Sequence, residues 1–347
     1  MRSKEGGELV LVTGAGGYIG AVLVPQLLDA GYAVRAVDRF FFGVDVLPRH
    51  PALEVRREDT RRMPAALMAG VRHVIDLAAL SNDPSGETFH EATWAINHQA
   101  RLRTARLARE AGAVRYILPS SCSVYGAQPT DIVADEDTTP NPLTTYARAN
   151  LAAERDILPL ADTDFTVVAI RQATVYGVSP RMRFDLAING MTLGAWETGK
   201  LPLMRDGSQW RPMVHVADTC AAMRFLLAAA ADRIAGQVFN VGSARNNYRI
   251  AALGEIVADL VPRPVEIDWY GDPDARSYRV GFDRIEALGW RAERGAEDGV
   301  REIVAALEAG ELRRSSTTIT LDRYRELIEW HRVIKDVELY GGILDIR

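Results

Sequence analysis

The chain has 347 residues, a formal net charge of −5, and an ordinary composition of 48% hydrophobic and 25% charged residues. This charge balance does not favour a nucleic-acid partner, and the longest apolar runs are shorter than the ~20 residues that a membrane span needs. Cys122 and Cys220 are too few for a disulfide framework or a four-ligand zinc site, so we expect a cytoplasmic protein without a metal. The polar N-terminal lead runs directly into a strand pattern, which predicts no signal peptide.

The first elements in chain order are an apolar run at 8–13, the glycine-rich turn TGAGGYIG and a helix that Gly31 closes. A second strand covers 33–37 and ends at Asp38. Further apolar runs occur at 73–79, 115–121 and 165–171, with helical patterns around 88–111 and 145–158. Because buried strands alternate with helices, the sequence predicts an α/β fold with a Rossmann-type, doubly wound parallel sheet.

Beyond residue 177 the alternation of buried strands and helices is less regular, because the elements are shorter and prolines interrupt them. We therefore expect an NAD-binding Rossmann domain over 1–177 and a smaller α+β substrate-binding lobe, mainly over 178–310. A segment near 211–243 is expected to return to the Rossmann domain, since QVFNVG (237–242) has a strand pattern. Residues 311–347 form a predicted helical extension with a charged amphipathic helix at 321–337, packed on the surface or against a partner chain.

The glycine-rich turn has the spacing that binds a dinucleotide. Gly14 permits the tight turn, Gly17 lets the backbone approach a diphosphate, and Gly20 allows close packing of the helix on the strand. Tyr18 and Ile19 lie between them and belong to the same predicted site.

A carboxylate at the end of the second strand, Asp38, is placed to bind the adenosine ribose and to repel a 2′-phosphate, which favours NAD over NADP. Arg39 beside it leaves NADP open, because a guanidinium can hold that phosphate; otherwise it is solvated or stacks on adenine. Asp59 and Thr60 follow the third strand and are predicted to contact the adenine end, with a surface role as the alternative for Asp59.

Two further segments, SSCSVYG (120–126) and TTYARAN (144–150), carry residues suited to chemistry. With the glycine turn and Leu77-Ala78-Ala79, they resemble the extended short-chain dehydrogenase/reductase superfamily, and within it the nucleotide-sugar epimerase and dehydratase group. RQATVYG (171–177), RPMVHVADT (211–219) and FNVGS (239–243) extend the resemblance, which covers about 8–310. It implies NAD as cofactor, a nucleotide-diphosphate sugar as substrate, and a homodimer formed through the helices near 90–110 and 145–158.

By this resemblance Ser121 binds the reacting hydroxyl of the sugar, and Tyr146 is the general base that removes its proton as hydride leaves for the nicotinamide. Leu77, Ala78 and Ala79 would line the cofactor site. The alternatives are a helix-capping role for Ser121 and a core role for Tyr146.

Asn150 stands where the family carries lysine, in Tyr-x-x-x-Lys. The lysine binds the nicotinamide ribose and lowers the pKa of the tyrosine; Asn150 still has a hydrogen-bond donor for the ribose but no charge. We therefore expect a higher pKa for Tyr146 and a slower, more alkaline reaction than lysine-bearing relatives show. An engineered substitution, another base, or a chain that binds without full turnover are competing explanations.

Dehydratases of the group carry an Asp-Glu pair directly after the position of Ser121, where this chain has Cys122 and Ser123. This difference disfavours 4,6-dehydration and favours an epimerase that oxidises the sugar transiently at C4. Cys122 is a candidate for proton transfer in 3- or 5-epimerisation, with a small buried structural residue as the alternative. A net oxidoreductase that releases a keto sugar remains open.

The remaining candidates concern the substrate. Arg211 and Arg276 resemble arginines that bind the sugar donor's diphosphate, with surface ion pairs as the alternative. The other predicted substrate residues are Asn189, lining the nucleotide site, and Ser81, Asn82 and Ser123, facing the sugar, although SNDPS is equally typical of a turn. Asn97 is expected to organise backbone beside the site.

Two hypotheses that assign the chain to other functional classes stay open. One is a nucleotide-sugar sensor that keeps the Rossmann fold without turnover, with Asn150 as the mark of that loss. The other is a flavin- or NADP-dependent reductase of small carbonyl compounds.

Overall fold

The computed structural model describes residues 7–129, 131–272 and 276–338. Within these ranges the strands are β1 Leu9–Thr13, β2 Ala33–Asp38, β3 Leu53–Arg57, β4 Val71–Asp76, β5 Arg115–Ser121, β6 Val133–Ala134, β7 Thr166–Gln172, β8 Thr174–Tyr176, β9 Lys200–Met204, β10 Trp210–His215, β11 Gln237–Val241, β12 Asn247–Arg249, β13 Glu266–Tyr270 and β14 Arg279–Val280.

The α helices of the same ranges are α1 Gly20–Asp29, α2 Asp83–Thr88, α3 His90–Trp94, α4 Arg101–Glu110, α5 Thr145–Ile157, α6 Ala187–Thr198, α7 Val216–Ala228, α8 Ala231–Ile234, α9 Ile250–Leu260, α10 Asp283–Leu288, α11 Ala296–Glu308 and α12 Thr320–Val337. A wider π-helical segment, Ala95–Ala100, joins α3 to α4. None of the helices in the described ranges has the length and apolar character required to cross a membrane.

Seven strands of the described chain form a parallel sheet in the order β11-β7-β5-β4-β1-β2-β3. The chain builds outward from β1 to β3 and then restarts on the other side of β1 with β4. Ligands of such sheets bind in the crevice at the carboxyl ends of the strands where the order reverses. The predicted Rossmann-type sheet is confirmed, and the crevice lies beyond Thr13 and Asp76.

Apolar helix faces cover both sides of this sheet, so the apolar residues of its central strands are buried on both faces. On one side Leu23 and Leu27 of α1 and Met223 of α7 are fully buried against the sheet. On the other side Ala105 of α4 and Ala153 of α5 are fully buried, and their small side chains let these helices lie close to the strands.

The second lobe has small sheets and its own core. β8, β10 and β12 form one sheet and β9 pairs with β13, with α6, α9 and α11 packed around them. The segment expected to return to the Rossmann sheet near 211–243 is divided: β11 pairs with β7 at the sheet edge, whereas β10 belongs to the second lobe. The proline-rich pattern of this region did not distinguish the two strands.

Helix α12 crosses back over the mouth of the crevice. Arg323 donates a 2.9 Å hydrogen bond from Nε to the carbonyl of Phe41, and Thr320 accepts one of 3.0 Å from Arg181. The expectation of a surface or partner-bound helix was therefore incomplete, because one face of α12 covers the crevice while Trp330 and Val333 on the other face are exposed. The rest of the predicted extension, 339–347, lies outside the described residues.

Candidate active site

A cavity of about 930 Å³ lies between the carboxyl edge of the parallel sheet, the second lobe and α12. Its wall carries most of the residues singled out from the sequence. These are Gly14, Gly17, Tyr18, Ile19, Gly20, Asp38, Arg39, Asp59, Thr60, Leu77, Ala78, Ala79, Ser81, Asn82, Ser121, Ser123, Tyr146, Arg211 and Arg276. Asn150, Cys122 and Asn189 are absent from that described wall.

The glycine turn leaves no room for side chains. Gly14 has φ of +64°, and a Cβ there would lie 2.7 Å from the backbone of Leu77 and Ala78. A Cβ on Gly20 would lie 2.5 Å from the carbonyl of Gly14. The turn therefore brings bare backbone to the cavity at the start of α1, where unpaired N–H groups attract a diphosphate. This geometry fits a dinucleotide.

Asp38 is held at the far end of this turn by backbone donors. Its carboxylate accepts hydrogen bonds from Gly16 N at 3.0 Å and Phe40 N at 2.6 Å. Burial raises the pKa of Asp38, and these hydrogen bonds oppose the rise. Arg39 pairs with Asp59 at 3.0 Å and lies over the ring of Phe41. The Arg39 guanidinium thus has a carboxylate partner, which fits the ribose assignment of Asp38.

Ser121 and Tyr146 meet on the cavity wall. Ser121 ends β5, and its Oγ accepts a 3.1 Å hydrogen bond from Ser123 N. Tyr146 is in the first turn of α5, which Thr144 caps by accepting a 3.2 Å hydrogen bond from Ala147 N. Ser121 and Tyr146 line the same cavity, and the Ser121 hydroxyl is close enough to the Tyr146 phenol to lower its pKa. A strand end and a helix start therefore combine to hold one hydroxyl pair in place.

The side chain of Asn150 points away from the cavity into the protein. It is 1% exposed, its Nδ2 donates to the carbonyl of Tyr146 at 3.0 Å, and its Oδ1 accepts from Nη1 of Arg101 at 2.8 Å. The Asn150 side chain is therefore turned away from the cavity in this structure, and its contact with the nicotinamide ribose stays a prediction. The reason for this orientation is the neighbouring guanidinium, which the sequence pattern around residue 150 did not reveal.

The pKa of Tyr146 is raised, in the expected direction. Burial is the largest cause, and the charge of Arg101 opposes it. Asp83 raises the pKa further, while the nearby Ser121 hydroxyl and the charge of Arg183 lower it. The missing lysine is thus not the only electrostatic difference at this tyrosine, because a buried arginine acts on it from α4.

Cys122 and Asn189 are buried in the protein interior and do not line the cavity. Cys122 is 1% exposed in the core beneath the sheet, its thiol donates to the carbonyl of Arg171, and burial raises its pKa. This position is unsuited to proton transfer with a sugar, so the structural alternative is the better reading. Asn189 is fully buried and connects Gly177 N, Tyr18 Oη and the carbonyl of Arg183, instead of lining the nucleotide site.

Three of the charged cavity residues that the sequence analysis missed lie within SPRMRFD (179–185). Arg183 pairs with Asp185 at 2.9 Å and donates to Ser81 Oγ at 3.0 Å. Burial would raise the pKa of Asp185, but the charge and hydrogen bonds of Arg183 lower it to about 2. Arg181 stacks on Phe42 at 3.6 Å, and its buried Nε has no partner among the described residues. The density of arginines in this loop was the available signal.

The opposite end of the cavity carries the predicted substrate residues. Arg276 pairs with Asp83 at 2.6 Å, and Asp83 also accepts a hydrogen bond from Thr144. Arg211 lies over the ring of Tyr278 at 5.5 Å. Within the described structure, the Ser123 hydroxyl is buried without a hydrogen-bond partner. Guanidinium groups and an unsatisfied hydroxyl at one end are suited to a phosphorylated, hydroxyl-rich ligand.

Asn97 organises backbone as expected. Its Oδ1 accepts from Leu80 N at 2.9 Å, and its Nδ2 donates to Leu80 O at 3.0 Å. It lies in the π-helical segment, and such segments frequently mark functional sites. This pair fixes the chain between the cofactor wall at Ala78 and the substrate wall at Ser81.

Tyr324 of α12 was also missed from the sequence. Its ring contacts Phe41, Phe42 and Phe89, with centroid distances of 6.1, 5.8 and 6.3 Å. These aromatic residues lie together on the cavity wall, on the side of Asp38 and Arg181. Helical periodicity predicted the helix, but nothing in the sequence indicated which surface it covers.

Known proteins are similar to this chain in sequence and in fold. Residues 10–242 match the model of the NAD dependent epimerase/dehydratase family. An uncharacterized UDP-glucose epimerase, YtcB, from Bacillus subtilis strain 168 is 28% identical over 250 residues, which are 68% of this chain and 77% of the relative.

Two solved structures have the same fold. MoeE5 in complex with UDP-glucuronic acid and NAD is 30% identical with a TM-score of 0.77, covering 87% of this chain and 99% of MoeE5. DesIV, a dTDP-glucose 4,6-dehydratase from Streptomyces venezuelae with NAD and TYD bound, has a TM-score of 0.77 at 23% identity, covering 87% and 98%. The match over most of the chain, together with the glycine turn and the hydroxyl pair, confirms the predicted resemblance and its NAD cofactor: this chain belongs to the NAD dependent epimerase/dehydratase family.

Proposed function

We propose that this chain is a nucleotide-sugar epimerase that oxidises the sugar transiently at C4 and reduces it again on the other face. The pair of Ser121 and Tyr146 carries this proposal, because both hydroxyl groups lie on the cavity wall together with the cofactor-binding turn. The solved relative MoeE5 binds UDP-glucuronic acid and NAD, which supports a nucleotide-sugar substrate.

In this reaction Ser121 orients the C4 hydroxyl of the sugar, and Tyr146 accepts its proton. NAD, when bound, supplies the hydride acceptor and later the hydride donor at C4. The keto sugar then rotates in the cavity so that its other face meets the cofactor. After hydride has returned to C4, Tyr146 returns the proton to the C4 oxygen. One proton and one hydride leave and return, so the net reaction is an isomerisation without an external oxidant.

The residues after Ser121 support epimerisation over dehydration. Elimination of water needs an acid and a base near the sugar in addition to the tyrosine. Cys122 is sealed in the core, and the two acids nearest the sugar end are already engaged, Asp83 by Arg276 and Asp185 by Arg183. Dehydration and net oxidation remain the alternatives, and they differ from epimerisation in their products.

The anionic part of the substrate would lie at Arg211 and Arg276, with the sugar between Ser81, Ser123 and Tyr146. The cofactor would extend from the glycine turn to Asp38, with Arg181 and Tyr324 on its open side. The predicted homodimer through the helices near 90–110 and 145–158 remains a proposal, and sedimentation velocity at micromolar concentration decides it.

The test uses UDP-, GDP- and dTDP-sugars deuterated at C4, incubated with the protein and NAD and followed by NMR. Epimerisation by this route yields the C4 epimer with the deuterium retained at C4. Loss of water indicates a dehydratase, and stoichiometric accumulation of reduced cofactor indicates an oxidoreductase. Binding of a nucleotide sugar without any product would overturn the enzyme proposal. Tyr146→Phe should abolish turnover, whereas Tyr270→Phe, at a residue 51% exposed, should not.

A further inference from the structure

Arg101 is a buried cation with unusual partners. It is 3% exposed, yet its two hydrogen bonds in the described structure go to uncharged oxygens, Nε to Ala78 O at 3.2 Å and Nη1 to Asn150 Oδ1 at 2.8 Å. A buried charge without an ionic partner is costly. Its charge can offset this cost if it stabilises the ionised form of a neighbouring group.

The group on which it acts is Tyr146. Asn150 lies one helical turn after Tyr146 and connects the two residues: its Nδ2 holds the Tyr146 carbonyl while its Oδ1 holds the guanidinium. The other contact of Arg101, the carbonyl of Ala78, belongs to the cofactor wall. Arg101 is thus anchored between the helix of the base and the strand end of the cofactor site.

We propose that Arg101 is the positioning residue that supplies the positive charge for the Tyr146 phenolate, and that Asn150 orients it by its amide oxygen. The inference rests on the proposed role of Tyr146 as the base. It changes the meaning of Asn150: the asparagine is one half of an arginine–asparagine pair in which the charge comes from α4 instead of from residue 150.

The asparagine is suited to this arrangement by size and charge. A lysine at 150 would place a second cation against the Arg101 guanidinium, and an aspartate would neutralise it. An amide leaves the charge intact, accepts one hydrogen bond and donates another. Asn150 therefore matches Arg101 in a way that neither charged residue does.

Other charged groups also face α5, and some of them contribute to the pKa of Tyr146. Asp83 and Glu87 of α2, His90 of α3 and Arg183 lie around its first turns, where Glu87 accepts from Thr145 N at 2.7 Å and His90 contacts the Thr145 hydroxyl. Farther along α5, Glu154 is paired with Arg171. The charge of Arg101 is the largest of those that lower the pKa of Tyr146.

The experiment measures ionisation of Tyr146 directly in the NAD-loaded protein, with tyrosine labelled by ¹³C at Cζ and the resonance assigned by Tyr146→Phe. Arg101→Gln should raise the pKa of Tyr146 by about 1 unit or more, and Arg101→Lys by less. Arg106→Gln removes a charge from the exposed face of the same helix and should leave the resonance unchanged. In turnover, the acidic limb of the pH–rate profile, where activity rises as the base loses its proton, should move to higher pH in parallel.

An unchanged Tyr146 pKa in folded Arg101→Gln would overturn the inference. If that variant does not fold, Arg101→Met/Asn150→Leu removes the charge and its amide partner together, since buried polar sets are commonly replaceable by apolar residues of similar volume. The same upward shift is expected there, and its absence counts against the proposal equally. Because the titration needs no sugar substrate, its result is separate from whether the chain proves to be an epimerase.

Discussion

Nη1 of Arg101 donates a 2.8 Å hydrogen bond to Oδ1 of Asn150, and both side chains are buried behind the wall on which Tyr146 lies. In the sequence, Asn150 looked like the loss of the family's lysine. In the structure it is the hydrogen-bond partner of a buried arginine. Its consequence is that residue 150 cannot be altered independently of residue 101.

Asn150→Lys should destabilise the protein instead of restoring a better base. A buried ammonium beside the Arg101 guanidinium has no anionic partner, so we expect a loss of about 3 kcal/mol in the free energy of unfolding. Urea denaturation measures it. Adding Arg101→Gln should recover most of the loss, because one buried cation then remains. If Asn150→Lys alone is as stable as the parent protein, the two sites do not interact as described.

Tyr324→Ala should weaken retention of NAD by about tenfold, because it removes the ring that packs on Phe41 and Phe42 at the proposed adenine end. Stopped-flow dissociation of the cofactor, followed by fluorescence, gives the rate. The matched control is Val333→Ala on the exposed face of the same helix, which should leave the rate unchanged. Equal rates for Tyr324→Ala and the parent would show that α12 does not hold the cofactor.

Arg276→Ala should reduce affinity for UDP-glucose by 10-fold or more, since a guanidinium contact with phosphate oxygens is lost. Binding of NAD should stay within about threefold, because Arg276 lies at the other end of the cavity with Asp83. Isothermal titration with each ligand separates the two effects. Arg291→Ala, which removes an exposed guanidinium outside the cavity, is the control. Unchanged UDP-glucose binding would favour a different substrate class.

Asp185 gives a pH-dependent prediction. Its pKa is about 2 in the fold, against a usual value of 3.8, so the ionised carboxylate stabilises the fold above pH 3.8, and this contribution disappears as the pH falls towards 2. By linkage it amounts to about 2 kcal/mol. The stability difference between the parent and Asp185→Asn should therefore be largest near pH 6 and shrink below pH 4. Asp164→Asn, on the surface, is the comparison; a constant difference for Asp185→Asn would contradict the assignment.

Much of this protein could be predicted from its sequence because the signals are local. The spacing of Gly14, Gly17 and Gly20 after a buried strand is a requirement of the backbone itself, and alternation of strands and helices implies a parallel sheet. Ser121 and Tyr146 were identifiable because each is part of a short motif. Of the three residues that were assigned to the site by motif position but are absent from its described wall, Asn150 and Asn189 are amides, whose role depends entirely on what faces them.

The residues that were missed share one property: their partners are distant in the chain. Arg101 meets Asn150 across 49 positions, and Arg183 meets Ser81 across 102. Tyr324 reaches Phe41 and Phe42 only because the chain returns over the crevice after completing the second lobe. Neither hydrophobic periodicity nor motif spacing predicts contacts between residues so far apart in the chain.

The sequence by itself determined the Rossmann-type sheet, the dinucleotide turn, the family and the hydroxyl pair, since each follows from backbone geometry or from residues close together in the chain. Only the tertiary structure decided where charge acts on Tyr146, that Cys122 is sealed from the cavity and that α12 covers it. Burial and long-range electrostatics depend on packing, and packing is a property of the whole fold.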